Sequence, residues 1–187
     1  FDKIPPCHAV RGSQPETSPI SPESSRGVII AFDKPSDYAA FEKILAEAHA
    51  QTYIRIATYC LMPNHWHLLL WPRQDGALSE VLRWITVTHT QRWQNRFRSR
   101  PMNIPDGRAH VERNALRAKL VSRAEAWQWS SLWRRTQGDI TLTPWLSDWP
   151  RERLRDWLTR VNRQQTASEL DSLRTSVQRG RPFGEKP

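Results

Sequence analysis

Two histidines, His65 and His67, have the residue type and spacing of metal ligands. A single tryptophan separates them within an apolar segment. Side chains of a β-strand alternate between its two faces, so residues two positions apart point to the same side, whereas a helix would place them roughly 200° apart. Two imidazoles on one face form half of a metal site. The alternative is that the two residues are an ordinary pair of core or rim histidines that bind no metal.

The sequence around the pair predicts the strand that this spacing requires. Apolar and β-branched residues fill the segment 54–61, and the apolar run 65–71 contains the pair itself. Pro63 and Asn64 lie between the two segments and are typical of a break or turn. We therefore predict two strands, 54–61 and 65–71, separated by a turn directly before His65.

Three helices are predicted around these strands. The first spans 38–50, with Ser36 or Asp37 as its N-cap, and the second spans 78 to about 97. The third spans 108–121 and follows a loop. This order of helices and strands predicts an α+β fold in which the helices pack on one face of an antiparallel sheet. The other predicted segments are a short strand over 28–32, a loop over 99–107 and a basic helix over 151–161.

The chain is predicted to hold one domain with a segment on either side. Residues 1–27 contain five prolines and no hydrophobic period, which predicts a disordered or irregular N-terminal arm. Residues 28–135 form the predicted domain, and 136–187 a basic C-terminal extension. The end of this extension, 179–184, could lie along a phosphate backbone or be a disordered terminus.

Positive charge is concentrated in the second part of the chain. The 187 residues carry a net charge of +9, yet residues 1–75 hold 7 basic and 8 acidic side chains. Residues 76–187 therefore hold 21 basic and 11 acidic side chains, a net charge of +10. This excess favours a polyanionic partner, although a charged surface that keeps a protein in solution is the alternative.

The ten tryptophans support the same partner, since several have arginine neighbours. Flat aromatic rings stack on bases while guanidinium groups pair with phosphates, a combination suited to single-stranded nucleic acid. Cys7 and Cys60 are too few for a disulfide framework, and the sequence contains neither an 18-residue apolar run nor a secretory signal. A cytoplasmic protein with reduced thiols, away from membranes, is predicted.

Three blocks of the sequence resemble a known family. Residues 59–69 read Tyr-Cys-Leu-Met-Pro-Asn-His-Trp-His-Leu-Leu. The second block comprises 111–121 with the Trp-Gln-Trp-Ser-Ser segment 127–131, and the third lies at 83–93. The first block resembles the HUH motif of single-tyrosine transposases, in which a bulky apolar residue separates two histidines. The resemblance is closest to the REP-associated tyrosine transposases and spans roughly residues 30–135.

The resemblance implies a ferredoxin-like HUH endonuclease or transposase fold and a metal-dependent reaction on single-stranded DNA. In the family the histidine pair, here His65 and His67, holds Mg²⁺ or Mn²⁺ at the scissile phosphate. A helix tyrosine attacks that phosphate and remains joined to it, and a third metal ligand follows four residues later. The third ligand corresponds here to Asn114.

This sequence departs from the family at the nucleophile. His110, not tyrosine, lies four residues before Asn114, and the only tyrosines are Tyr38, Tyr53 and Tyr59. His110 could replace the nucleophile, add a metal ligand, lie on the surface or be a relic without a role. The chain also lacks a recognisable first strand within 1–27 and is short between Trp93 and Arg108.

The resemblance and the charge pattern together imply single-stranded or hairpin DNA as the partner of a monomer or homodimer. The residues predicted to contact DNA are basic or aromatic and follow residue 80: Arg83, Arg92, Trp93, Arg96, Arg98, Arg113, Arg117, Arg134 and Arg135.

Three functions remain open on the sequence. The chain could be a transposase that nicks and rejoins DNA, with catalysis impaired by the missing tyrosine. It could be a catalytically inactive DNA-binding descendant of such an enzyme. It could also be a metal-dependent nuclease that uses activated water, with His110 as general base.

Overall fold

The computed structural model describes most of the chain, with β1 and β4 described by their backbone. The described residues are 7–13, 32–73, 76–90, 96–102, 104–148, 154–169 and 171. Four strands run at Cys7–Ser13 (β1), Arg55–Met62 (β2), His65–Trp71 (β3) and Arg96–Met102 (β4). The helices are Pro35–Thr52 (α1), Ala77–Thr90 (α2), Ile104–Glu112 (α3), Asn114–Arg117 (α4), Ser131–Thr136 (α5) and Trp157–Asn162 (α6).

The four strands form one antiparallel sheet in the order β2-β3-β1-β4. This sheet confirms the predicted α+β class, and β2, the turn at Pro63 and Asn64, and β3 confirm the two strands predicted around the histidines. The predicted N-cap, Ser36 or Asp37, is wrong, because α1 begins at Pro35 with Lys34 as its N-cap. Asp37 lies in the first turn, where its carboxylate accepts the backbone N–H groups of Asp33 and Lys34. The predicted strand over 28–32 lies outside the described residues, except for Phe32.

The prediction of an irregular arm over 1–27, without a first strand, is wrong for Cys7–Ser13. These residues form β1, which lies between β3 and β4 and pairs with both. The local sequence has no alternating apolar pattern, so it gives no strand signal. Its ladder hydrogen bonds come from segments more than fifty residues away in sequence, and only the tertiary fold brings these together.

The helix predicted to reach about residue 97, and the loop after it, are also corrected. α2 ends at Thr90, and Arg96–Met102 form β4 at the edge of the sheet. Arginine occupies every second position of this strand up to Arg100, so its sequence has the polar composition that is typical of a loop. Pro101 is tolerated because an edge strand has one side without ladder partners.

Helices cover both faces of the sheet, so the predicted packing on one face is wrong. On the α1 face, α1 and α2 pack against residues such as Tyr59, Trp66 and Leu68. On the opposite α3 face, α3 and α4 place Val111 and Ala115 against Cys60, Met62, Leu69 and neighbouring residues. β2 and β3 are buried on both faces and therefore require cover on both sides.

The Trp-Ser-Ser segment closes the outer edge of β2. The indole N–H of Trp127 donates to the Leu61 carbonyl (2.6 Å), and the Leu61 N–H donates to the Trp129 carbonyl. The Ser131 hydroxyl accepts the Tyr59 N–H and donates to the Tyr59 carbonyl. These contacts satisfy backbone groups that an uncovered edge strand would leave without partners.

Packing continues past residue 135, where the sequence analysis placed a domain boundary. Trp145 and Leu146 join the core on the α1 face, and Trp157 and Val161 of α6 pack with Ala109 and Leu132. The described part of 136–169 therefore packs on the domain. None of the helices that the structure describes combines the length and the apolar character needed to span a membrane.

Candidate metal centre

His65 and His67 lie on the α3 face, at the start of β3. Their ring centroids are 4.8 Å apart and the ring planes meet at 77°. The two side chains keep only 9% and 6% exposure. In the strand register His65 pairs with Met62 and His67 with Cys60. The strand geometry predicted from the i, i+2 spacing is confirmed.

Asn64 orients the first histidine. Nδ1 of His65 lies 2.6 Å from the amide oxygen of Asn64. That oxygen can only accept, so in the neutral ring Nδ1 carries the proton and Nε2 keeps its lone pair. Metal-binding histidines are commonly oriented in this way, by a hydrogen bond from the ring nitrogen that does not bind the ion.

His110, on α3, lies next to His67 on the α3 face of the sheet. Its ring centroid lies 5.8 Å from that of His67, with the ring planes at 90°, and its exposure is 9%. Val111 and Ala115 anchor α3 and α4 in the apolar cluster beneath the sheet. The structure thus places the residue at the expected tyrosine position beside the histidine pair.

Asn114, the predicted third ligand, has other described partners. The side chain is fully buried, its amide N–H group points to the Val111 carbonyl (3.3 Å), and its oxygen accepts from the Arg117 guanidinium (2.6 Å). Within the described ranges, no cluster of three or more His, Cys, Asp or Glu side chains is arranged to hold a metal ion. Asn114 as a ligand therefore stays a prediction.

Cys60 is opposite His67 in the strand register, where a sulfur ligand could be considered. The thiol is fully buried, and this burial is the main reason that its pKa is raised to about 12. A thiol held in its neutral form is a poor metal ligand, because metals bind the thiolate. Cys60 packs instead with Met62 and Val111 in the apolar cluster.

A buried carboxylate, which the sequence analysis missed, fixes α3. Glu112 accepts from Nε of Arg108 (2.5 Å), the indole N–H of Trp157 (2.7 Å) and the hydroxyl of Thr58 (3.2 Å). Arg108 and Glu112 are each 1% exposed, and the contacts join α3 to β2 and α6. The i, i+4 spacing of Arg108 and Glu112 was visible in the sequence, but it usually marks an exposed helix pair.

All three tyrosines are described, and none of them lies beside the histidines. Tyr38 and Tyr59 belong to the core on the α1 face, where burial is the main cause that raises the pKa of both hydroxyls, that of Tyr38 to about 12. Tyr53 is 69% exposed at the C-terminal end of α1. It lies seven residues before Cys60, the partner of His67, a separation of roughly 20 Å along an extended strand.

Three of the predicted DNA contacts, Arg113, Arg134 and Arg135, have partners within the fold. Arg113 is 9% exposed, and its guanidinium donates to the backbone carbonyls of Val161 and Arg160. Arg134 pairs with Glu42 (2.7 Å) and lies over the Trp133 ring, and Arg135 donates to the Ser147 carbonyl. The role of Arg113 in DNA binding stays a prediction, and its Nε and one terminal nitrogen donate to backbone carbonyls inside the fold.

The other predicted DNA contacts are spread over the molecule. Arg83 is exposed on α2, on the side of the sheet away from the histidines, and Arg117 is exposed on α4. Arg96 and Arg98 pair with Ser13 and Arg11 of β1, which in turn pair with His65 and His67. The two β4 arginines therefore lie on the same cross-strand rows as the histidines. Arg92 and Trp93 lie outside the described residues.

Comparisons with known proteins found one family model and one solved structure that are similar to this chain. Residues 30–106 match the family model described as IS200-like transposase. The fold is similar to the solved structure of a REP-associated tyrosine transposase bound to a REP hairpin, with a TM-score of 0.50 and 16% sequence identity, over 82% of this chain and 95% of that chain. No curated protein matches.

The family match includes both histidines and ends before His110 and Asn114. At 16% identity the structural similarity shows a shared fold and nothing about the ligand of this chain. The two findings confirm the resemblance stated from the sequence. The segment 30–106 is thus similar to the IS200-like transposases, and the fold is similar to that of a REP-associated tyrosine transposase.

Proposed function

We propose that the protein is a transposase relative that binds single-stranded or hairpin DNA, holds a divalent ion at His65 and His67, and is impaired in nicking and joining strands. The observation that carries this proposal is His110. Its ring centroid lies 5.8 Å from that of His67, at the position that the resemblance implies for the nucleophile, while every tyrosine of the chain lies elsewhere. An imidazole cannot form the stable phosphotyrosine that strand transfer needs.

DNA as the partner is supported by charge, register and the solved relative. The structurally similar transposase is bound to a REP hairpin. In this chain, Arg96 and Arg98 continue the cross-strand rows that begin at the two histidines. Guanidinium groups on these rows would pair with phosphates beside the metal centre.

The donor set fits a divalent ion in part. His65 and His67 would hold the ion through imidazole nitrogen, and Asn64 keeps His65 in the tautomer that leaves Nε2 able to bind. Mg²⁺ or Mn²⁺, as implied by the family, would neutralise charge on a scissile phosphate when bound. The two imidazoles, each more than nine-tenths buried, would hold such an ion through their ring nitrogens.

A second function is favoured by the same contact between His110 and His67. A neutral His110 could accept a proton from water and so support hydrolysis of a phosphodiester without any covalent intermediate. On this hypothesis the protein would be a nuclease rather than a transposase.

One assay separates these readings. A labelled single strand carrying a hairpin is incubated with Mn²⁺ and analysed on native and denaturing gels. A shifted complex without cleavage is the expected result. Cleavage without an adduct would indicate activated water, a covalent adduct would show that another nucleophile is present, and no complex at all would overturn the DNA-binding proposal.

Replacing either histidine of the pair is expected to weaken Mn²⁺ binding by about tenfold or more, because one of few protein ligands is lost. The variants are His65→Ala and His67→Ala, and isothermal titration calorimetry measures the affinity. His49→Ala is the matched control, since His49 binds the Ile54 carbonyl at the end of α1. Unchanged affinity in both variants would remove the case for a metal at the pair.

DNA affinity is expected to fall steeply with salt, because each phosphate neutralised by the protein releases counterions. Replacing Arg96 and Arg98 by glutamine together should lower the slope of log K against log[salt] by about 2, roughly one unit for each phosphate contact. Arg83→Gln, on the opposite side of the sheet, should leave the slope unchanged. The proposal that β4 contacts DNA would fail if the double variant kept the original slope.

A further inference from the structure

We propose that Arg11 is the centre of a phosphate-binding patch for single-stranded DNA on the α3 face of the sheet, directly beside the histidine pair. The inference rests on the proposed binding of single-stranded or hairpin DNA and deepens it. It adds a contact that the sequence analysis missed, on a strand that the sequence did not predict.

Arg11 lies in β1, between the strand of the histidines and the strand of the other arginines. It pairs with His67 of β3 on one side and with Arg98 of β4 on the other. Directly opposite residues of an antiparallel pair lie on the same face of the sheet, with Cβ positions about 5 Å apart. Position 11 is therefore on the α3 face, next to the position of His67.

Three arginine positions of β4 surround position 11. Arg98 is directly opposite, and Arg96 and Arg100 occupy the two diagonal positions, roughly 7 to 8 Å away. Residues two apart on a strand share a face, so all three positions are on the same face as Arg11. We call Arg11, Arg96, Arg98 and Arg100 the arginine patch.

The sheet around the arginine patch supplies no carboxylate to balance its charge. Neither β1, β3 nor β4 contains an aspartate or a glutamate. Like charges directly opposite each other, as at Arg11 and Arg98, destabilise a pair of strands. A bound polyanion removes this repulsion, so the arrangement favours an anionic ligand on the α3 face.

Protection of the sheet edge explains the arginines of β4 but not Arg11. Charged side chains on an edge strand prevent it from pairing with another chain. β1 is an inner strand of the sheet and pairs on both sides, so it has no edge to protect. A ligand on the α3 face accounts for a charge at this inner position as well as for the charges on β4.

The spacing of the patch suits a chain of phosphates better than a single small anion. Alternate residues of β4 are roughly 6.8 Å apart along the strand, close to the separation of neighbouring phosphates in an extended nucleic acid. Guanidinium groups pair with phosphate oxygens through two parallel hydrogen bonds.

The position of α3 gives the DNA a direction of approach. α3 packs against β1, β2 and β3, whereas β4 is the outer strand of the sheet. A DNA strand that enters over β4 therefore passes Arg98 and then Arg11 before it reaches His67. Arg11 would hold the phosphate next to the one at the histidine pair.

Binding of a labelled, hairpin-bearing oligonucleotide to the full chain tests the patch, with fluorescence anisotropy measured at several salt concentrations in the presence of a chelator. Arg11→Gln should weaken binding about tenfold and lower the slope of log K against log[salt] by about 1. Arg11→Lys keeps the charge but not the planar fork, so it should bind less tightly with the slope retained. Arg73→Gln is the control, since Arg73 is exposed beyond the end of β3 that is remote from the histidines.

A series of oligonucleotides, each with one uncharged methylphosphonate linkage, locates the contact. Neutralising a phosphate that the unchanged protein contacts should weaken binding. In Arg11→Gln the loss at one linkage should disappear, and in Arg98→Gln the loss at a neighbouring linkage should disappear. The same losses in Arg11→Gln as in the unchanged chain would overturn the contact.

Thermal unfolding without DNA separates a binding role of Arg11 from a structural one. Because Arg11 is opposite Arg98, Arg11→Gln should leave the melting temperature unchanged or raise it. A clear decrease would mean that Arg11 has a stabilising partner in the fold, and the inference would be overturned. If the unchanged chain binds the oligonucleotide and Arg11→Gln keeps its affinity and slope, only the arginine patch fails. If the unchanged chain binds neither single-stranded nor hairpin DNA, the proposed function fails with it.

Discussion

His110→Tyr is expected to convert a protein that forms no covalent DNA complex into one that does. The substitution introduces a phenol at the position that the sequence resemblance implies for the nucleophile, four residues before Asn114. Position 110 faces His67 at a ring separation of 5.8 Å, so the hydroxyl would lie beside an ion held by the pair. Attack by tyrosine on a phosphodiester forms a phosphotyrosine and frees the other strand end, and this linkage survives denaturation.

The adduct is measured on a denaturing gel with a labelled hairpin oligonucleotide and Mn²⁺. His110→Phe is the matched control, because it adds the same ring without the hydroxyl and should give no adduct. Omitting the metal should abolish the product. A folded, metal-bound His110→Tyr protein that binds the hairpin yet forms no adduct would show that the missing tyrosine is not the sole defect of the site.

Glu112→Ala is expected to lower the free energy of unfolding by about 3 to 5 kcal/mol, because it removes the carboxylate that pairs with the buried cation of Arg108. The side chains of Arg108 and Glu112 are 1% and 0% exposed, and the same carboxylate also accepts from Thr58 and Trp157. Removing it therefore breaks contacts of α3 with both β2 and α6. Urea unfolding at neutral pH, followed by circular dichroism, gives the magnitude.

Glu80→Ala provides the comparison for this change. Glu80 is exposed in the first turn of α2, where a carboxylate contributes about 1 kcal/mol or less through the helix dipole. A further variant, Arg108→Met with Glu112→Leu, removes both charges and should recover much of the lost stability. A loss below about 1 kcal/mol for Glu112→Ala would mean that Arg108 finds water or another acceptor when its partner is removed.

The two predictions are linked through α3. Because Glu112 fixes the helix that carries His110, a folded Glu112→Gln protein should retain the histidine pair while losing part of the contact between His110 and His67. A lower yield of covalent adduct when Glu112→Gln is added to His110→Tyr, with hairpin binding unchanged, would identify Glu112 as a positioning residue for position 110.

The sequence by itself determined the strand β3, the turn before it and the common face of its two histidines. The alternation of side chains along a strand places His65 and His67 on one face whatever lies around them. Pro63 and Asn64 end the preceding strand by local backbone preference. These features depend on interactions within a few residues, so a linear pattern is enough to predict them.

Only the tertiary structure decided which residues meet. Cys7–Ser13 and Arg96–Met102 lack a clear strand period, and their place in the sheet comes from pairing between segments about ninety residues apart. The charge pattern did not reveal that Arg113 and Glu112 lie inside the fold, because burial of a charge depends on partners that other elements supply. The contact between His110 and His67 is of the same kind, since it exists only because apolar residues of α3 and α4 pack against the sheet and bring two distant parts of the chain together.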